Sequence, residues 1–231
     1  MKTVGIIGGI GPESIISYYR SIVAVYREKK QDGSYPSILI NSIDLTKMLM
    51  LIGGGHLAQA TEYLGYEVQR LARAGADFGL LAANTPHIIF DDIQRQSPIP
   101  LISIVEATCK EAGGLGLKKV GLFGIRFTMQ GRFYPDVFSP SGIAIVRPAP
   151  ENEAYIHDKY MNELVPGVFL PETRERVLSI ARDLVRSERV DGVILGGTEL
   201  PILFKGAGDA GVPFLDTTAI HVARITDEIL S

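Results

Sequence analysis

The chain has 231 residues, 46% of them hydrophobic and 21% charged, with a formal net charge of −3. This is the balance of a globular protein, and a charge so near zero with no basic cluster speaks against a nucleic-acid partner. No apolar run reaches the roughly 18–20 residues of a membrane span, and a single cysteine, Cys109, excludes an internal disulfide or a cysteine-based metal cluster.

Met1-Lys2-Thr3 leads straight into a strand-like run, so no signal peptide is expected and the cytoplasm is the expected compartment. Strands are predicted at Val4–Ile7, Ser37–Ile43, Phe78–Ala82, Leu101–Ile104, Val120–Phe123, Ile143–Val146, Gly192–Leu195 and Pro213–Leu215. Short, continuous apolar runs of this kind suit parallel strands buried on both faces. Helices are predicted between them. Pro12–Arg27 follows the first strand, and Glu172–Ser187 precedes the seventh. His56–Ala74 carries Leu57, Ala60, Leu64, Val68 and Leu71 at helical spacing, with Gly75 just past its end. The alternation predicts an α/β protein with mostly parallel sheets flanked by helices.

The chain also repeats itself. Val4-Gly5-Ile6-Ile7-Gly8 recurs as Val120-Gly121-Leu122-Phe123-Gly124. Ala76 to Thr85 recurs from Val190 to Thr198, and Ile99-Pro100-Leu101-Ile102 recurs as Val212-Pro213-Phe214-Leu215. The offsets are 116, 114 and 113 positions (4 to 120, 76 to 190, 99 to 212). Three matches at nearly one offset predict two pseudo-symmetric lobes. The expected division is 1–97 plus 213–231 for lobe one and 98–212 for lobe two.

Ligands of open parallel sheets bind at the carboxyl ends of strands, near helix N-termini. Three turns there carry the chemistry. Gly8-Gly9-Ile10-Gly11-Pro12 offers backbone N–H groups and a proline at the first helical position. Thr85 is expected as an N-cap ahead of Pro86, and Thr198 as its counterpart ahead of Glu199. With Asn84, these groups suit a carboxylate. Gly9-x-Gly11-x-x-Ser14 is a weak dinucleotide signal, because its third position is serine. The next acidic residue at a strand end, Asp44, also lies about 35 positions from Gly9 where roughly 20 is needed. A tight turn explains those glycines. His87 reads as a proton-transfer group or a structural histidine, Arg126 as a grip for a second carboxylate or a surface cation, and Glu199 as a pocket acid or a first-turn carboxylate. Cys109 reads as a buried structural thiol. His56, His157 and His221 have no ligand spacing, so no metal is expected.

Ile7-Gly8-Gly9-Ile10-Gly11-Pro12-Glu13-Ser14, Asn84-Thr85-Pro86-His87, Phe127-Thr128-Met129, Gly196-Gly197-Thr198-Glu199-Leu200 and Asp216-Thr217-Thr218-Ala219-Ile220-His221 together resemble the cofactor-independent aspartate/glutamate racemase superfamily. The resemblance spans nearly the whole chain. It implies two α/β lobes with the active site in the cleft between them, a homodimer, no cofactor, and a small amino or dicarboxylic acid as ligand. It places Gly9, Gly11, Asn84, Thr85, Arg126, Thr128 and Thr198 in substrate binding, and His87 and Glu199 near the chemistry. Racemases of this type usually carry two thiols that move a proton across the substrate Cα. Those positions hold Ala83 and Gly197 here, and neither side chain transfers a proton. Three explanations stay open: a divergent chain that binds a small acid, a thiol-independent lyase or hydrolase on the same scaffold, or an engineered knockout.

Overall fold

The computed structural model describes residues 1–9, 12–205 and 210–231, without the side chains of Pro12, Glu13 and Leu45. The first half runs β1 (Val4–Gly8), α1 (Pro12–Lys30), β2 (Ile38–Ser42), α2 (Leu45–Gly53), α3 (Leu57–Arg73), β3 (Phe78–Leu81), a 3₁₀ turn (Thr85–Ile89), α4 (Phe90–Gln96) and β4 (Leu101–Ile102). The second half runs α5 (Ile104–Gly114), β5 (Lys119–Phe123), α6 (Arg126–Gln130), α7 (Phe133–Phe138) and β6 (Ala144–Val146). It continues with α8 (Pro150–Lys159), a π-helical turn (Tyr160–Leu164), α9 (Pro171–Glu188), β7 (Gly192–Leu195), α10 (Leu200–Leu203), β8 (Phe214–Asp216) and α11 (Thr217–Leu230).

The chain divides into two compact units, Met1–Ile104 with His221–Ser231, and Val105–Ile220. The repeat alone places these boundaries at 97/98 and 212/213. Hydrogen bonding carries β4 with the first unit: Gly79 donates to Pro100 at 2.8 Å, and β4 lies parallel to β3. In the second unit Val193 donates to Pro213 at 3.0 Å, and β8 lies parallel to β7.

In the first unit a four-stranded parallel sheet has the order β2-β1-β3-β4. β1 and β3 are buried at every position, as continuous apolar runs require, while the edge strand β2 is partly exposed. One sheet face packs Val4, Ile6, Phe78 and Leu80 against Tyr18, Ile22 and Tyr26 of α1 and Val222, Ile225 and Ile229 of α11. Burying each such side chain contributes about 1.5–3 kcal/mol before entropy is charged against it. On α3, Ala60, Leu64, Val68 and Leu71 are buried, whereas Leu57, expected on that face, stands exposed at the first turn. Gly75, at φ +96°, ends the segment in a left-handed conformation that favours glycine. α2 was not foreseen. Its N-cap is Asp44, whose carboxylate accepts from the backbone of Thr46 at 2.8 Å and Lys47 at 3.4 Å.

In the second unit the order is β6-β5-β7-β8, again all parallel. Its core joins Phe123, Val193 and Leu195 to Ile156 and Tyr160, to Val177, Ile180, Ala181 and Leu184 of α9, and to Leu200 and Leu203. The registers reproduce the sequence repeat. Ile7 pairs with Leu81 in the first sheet, and Phe123 pairs with Leu195 in the second. Asp77 and Asp191 also match. Asp77 accepts from the Thr3 backbone at 2.7 Å, and Asp191 from Lys118 at 2.8 Å and Lys119 at 3.1 Å, so each aligns the start of its central strand pair. No helix among the described residues is long and apolar enough to cross a membrane.

Candidate functional site

Two residues beyond Leu81 lies Ala83, and two beyond Leu195 lies Gly197. The repeat therefore gives these two positions one structural station, at the carboxyl end of the third strand of each sheet. Each surrounding is considered within its own unit.

At the β3 end, Ala83, Asn84, Thr85 and His87 are all buried. The 3₁₀ turn starts at Thr85 with Asn84 as its N-cap, where Thr85 was expected in that role. Pro86 blocks the continuation of backbone donors into the turn, and only five residues are involved, so a helix macrodipole contributes little here. Of the two readings open for His87, its surroundings favour the structural one. Its Nε2 accepts from the Ile104 N–H at 3.2 Å, which leaves Nδ1 protonated to donate to the Ala83 carbonyl at 3.0 Å. Burial lowers its pKa to about 4. A neutral histidine with both nitrogens engaged by backbone anchors the turn; its ring also stacks on Phe90 at 4.9 Å.

His221 is built the same way. Its Nε2 donates to the Ile102 carbonyl at 2.9 Å, and its Nδ1 accepts from the Tyr18 hydroxyl at 2.8 Å. Burial, followed by the nearby His87, lowers its pKa to about 3. At the β1 end, Gly9 has φ +80°, and an added Cβ would meet the Ile43 carbonyl and, at 2.6 Å, Ser42 Oγ. Its glycine is demanded by the close approach of the turn after β2. Ser14 Oγ donates to the Ala82 carbonyl at 2.8 Å, which ties the start of α1 to the end of β3. That bond accounts for serine at the third place of the glycine motif. Gly11, expected in substrate binding, lies outside the described residues.

At the β7 end the backbones of two strands converge. Gly196 donates to Phe123 at 2.7 Å, and a Cβ on Gly124 would lie 2.7 Å from the Gly196 carbonyl. Thr128, fully buried, packs its methyl against both glycines. Arg126 opens α6 with an exposed side chain, and its backbone N–H donates to His157 Nδ1 at 3.3 Å. Burial, then the Arg126 charge, lowers the His157 pKa. The N-cap of α10 is Glu199 rather than Thr198. Glu199 is buried, with Oε2 accepting from Thr198 Oγ1 at 2.8 Å and from the Tyr160 hydroxyl. Burial, then the Glu199 charge, pushes the Tyr160 pKa well up. The Tyr160 ring fills the space into which any side chain at 197 would project, with its Cζ 2.7 Å from an ideal Cβ there. Gly197 does not have a positive φ, so space rather than backbone conformation is what excludes a side chain.

Tyr160 is the residue sequence reasoning missed. A glycine where relatives carry a side chain signals space filled from elsewhere, but the filler comes from a turn 37 positions away (160 to 197). Cys109 lies in α5, buried, with Sγ 3.6 Å from the Val137 carbonyl and 3.5 Å from Ser141 Oγ. Among the described residues no group of three or more His, Cys, Asp or Glu side chains is placed to hold a metal ion.

Known proteins match this architecture along its full length. The broad specificity amino-acid racemase RacX of Bacillus subtilis is 24% identical over 232 aligned residues, covering 94% of this chain and 93% of that protein. An aspartate racemase homologue from Pyrococcus horikoshii is 34% identical with a TM-score of 0.86, covering 100% of both chains. A candidate Asp/Glu racemase from Yersinia pestis is 30% identical with a TM-score of 0.90, also covering 100% of both. The Asp/Glu/hydantoin racemase profile matches residues 7–225. With that match and with its two sheets of like order, the chain belongs to the Asp/Glu/hydantoin racemase family.

Proposed function

We propose that this chain binds a small amino or dicarboxylic acid and performs cofactor-independent chemistry at its Cα, by a route other than the two-thiol exchange of its relatives. The observation that carries this reading is the shared station of Ala83 and Gly197. Each sits where the family resemblance puts a reacting thiol, and each is followed by a buried hydroxyl residue, Thr85 or Thr198, at a strand end. Within the first unit Asn84 and Thr85, and within the second the exposed cation of Arg126, offer groups suited to a carboxylate. Names of the relatives, which speak of aspartate and of broad amino-acid specificity, make acidic amino acids the first to try. The absence of a proton-carrying side chain at 83, with His87 fully engaged by backbone, favours chemistry with a single proton carrier, as in a lyase or a one-sided exchange. Resemblance adds a homodimer, which light scattering on the purified protein checks.

The test has two stages. A thermal-shift screen of D- and L-amino acids, dicarboxylates and keto acids should give at least one acid that raises Tm, and Arg126→Ala should weaken its binding about tenfold, the scale of one charge-assisted hydrogen bond. Proton NMR in heavy water should then show loss of the Cα proton from that ligand. No stabilising acid at millimolar concentration sinks the binding part. Stabilisation with no proton loss and no product leaves a binding protein.

A further inference from the structure

We infer that the Tyr160 phenol, hydrogen-bonded to Glu199, is the proton carrier that stands in place of the missing thiol at position 197. The inference rests on the proposed Cα chemistry and assigns its reacting atoms.

Four observations converge. The ideal Cβ of residue 197 overlaps the Tyr160 ring edge and hydroxyl, so the phenol occupies the volume a thiol would fill. The Tyr160 hydroxyl donates to Glu199 Oε2, so the oxygen has a proton acceptor already in place. Thr198 Oγ1 donates to that same oxygen at 2.8 Å and orients the carboxylate. The tyrosine is delivered by a π-helical turn after α8, and such turns concentrate at functional sites because the extra residue re-aims side chains.

The chemistry balances without a co-reactant. As the phenolic oxygen takes the α-proton, its own proton passes to Glu199 Oε2. The Cα–H bond breaks, its electron pair stays on the substrate as a carboxylate-stabilised carbanion, and the phenol O–H is remade. Negative charge moves from Glu199 to the substrate. The reverse transfer returns a proton to Cα. While the carbanion persists, the phenol O–H that now carries the former α-proton exchanges with the solvent, so in heavy water the reverse transfer places deuterium at Cα. Burial raises the phenol's pKa, which disfavours a free phenolate and makes the concerted relay to Glu199 the route by which it acts as a base.

The experiment compares the full-length protein with Tyr160→Phe, Glu199→Gln, Tyr160→Ala, and the pair Tyr160→Ala with Gly197→Cys. Readouts are Cα exchange in heavy water and Tm shift with the stabilising acid. Tyr160→Phe keeps the ring, so the fold and ligand affinity should hold within about threefold. Exchange should fall about 10²–10⁴-fold, the usual contribution of a general acid–base group. Glu199→Gln should fall comparably. Opening the space with Tyr160→Ala and adding a thiol with Gly197→Cys should restore exchange at least tenfold over Tyr160→Ala alone. Exchange in Tyr160→Phe equal to that of the unaltered protein overturns the inference and leaves the proposed function standing. An unaltered protein that exchanges nothing sinks the Cα chemistry itself. A separate readout needs no turnover: with tyrosines labelled at ¹³Cζ, the acid should shift the signal that Tyr160→Phe removes. A bound acid that leaves that signal unmoved places Tyr160 away from the ligand and overturns the inference.

Discussion

Two buried histidines in the first unit are neutral for a physical reason that stability measurements can reach. His87 and His221 each spend both ring nitrogens on fixed partners, and burial holds their pKa values at about 4 and about 3. An unfolded histidine titrates near 6.5. Above that pH both states are uncharged at these residues and their contribution to stability is complete. As pH falls from about 6.5 the unfolded chain binds protons the folded chain refuses, so stability is lost until the folded groups titrate near 4 and 3. Each unit of depression is worth about 1.4 kcal/mol. Urea unfolding at pH 7.5, 6.5, 5.5 and 4.5 should show the loss, and His87→Gln should lose less over that range, by about 2–3 kcal/mol. Equal slopes for the two proteins would mean that His87 is protonated in the native state. The residue scale is also where sequence reading reached least. His87, Glu199 and Thr198 stood out by type and position. Two of their partners did not, because Ile104 and Tyr160 meet them only through the fold.

At the scale of elements, most of the pattern was open to view. The central strands β1, β3, β5 and β7 are buried on both faces, and that leaves an unbroken apolar run in the sequence. α3 announces itself by spacing and by Gly75. What escaped were short elements whose signal is a single cap or a packing demand. α2 depends on Asp44, which looked like a strand-end acid. The turn after α8 is a π-turn that no periodicity marks. Capping at Thr85 and Thr198 was displaced by one residue in opposite directions, to Asn84 and to Glu199, since backbone closure rather than side-chain preference ends each strand. Gly9 shows how tightly such closures are made. With φ +80° and no room beside the Ile43 carbonyl, Gly9→Ala should cost about 1–3 kcal/mol, read as a lower urea midpoint with an unchanged m-value. A variant as stable as the parent would show that the backbone at Gly9 relaxes freely away from Ile43.

The two units are alike in strand order but unlike in how the chain supplies them. Val105–Ile220 is one continuous stretch with its own apolar core, from Phe123 through Leu184 to Leu203. The other unit borrows Val222, Ile225 and Ile229 from a stretch that follows it in sequence. A fragment of residues 105–220 should therefore fold alone, with a cooperative thermal transition by circular dichroism and dispersed amide NMR signals. A fragment of residues 1–104 should not do so until the 221–231 segment is supplied. A melted 105–220 fragment would mean that its core is insufficient without the rest of the chain.

That discontinuity imposes an order of events on a ribosome. The segment that carries β1 to β4 emerges before the middle stretch, and Tyr18, Ile22 and Tyr26 have no cover from Val222, Ile225 and Ile229 until that stretch has been made. The middle stretch can close on itself in the meantime. While the middle stretch is being made, the nascent chain thus displays an open aromatic face on its first helix.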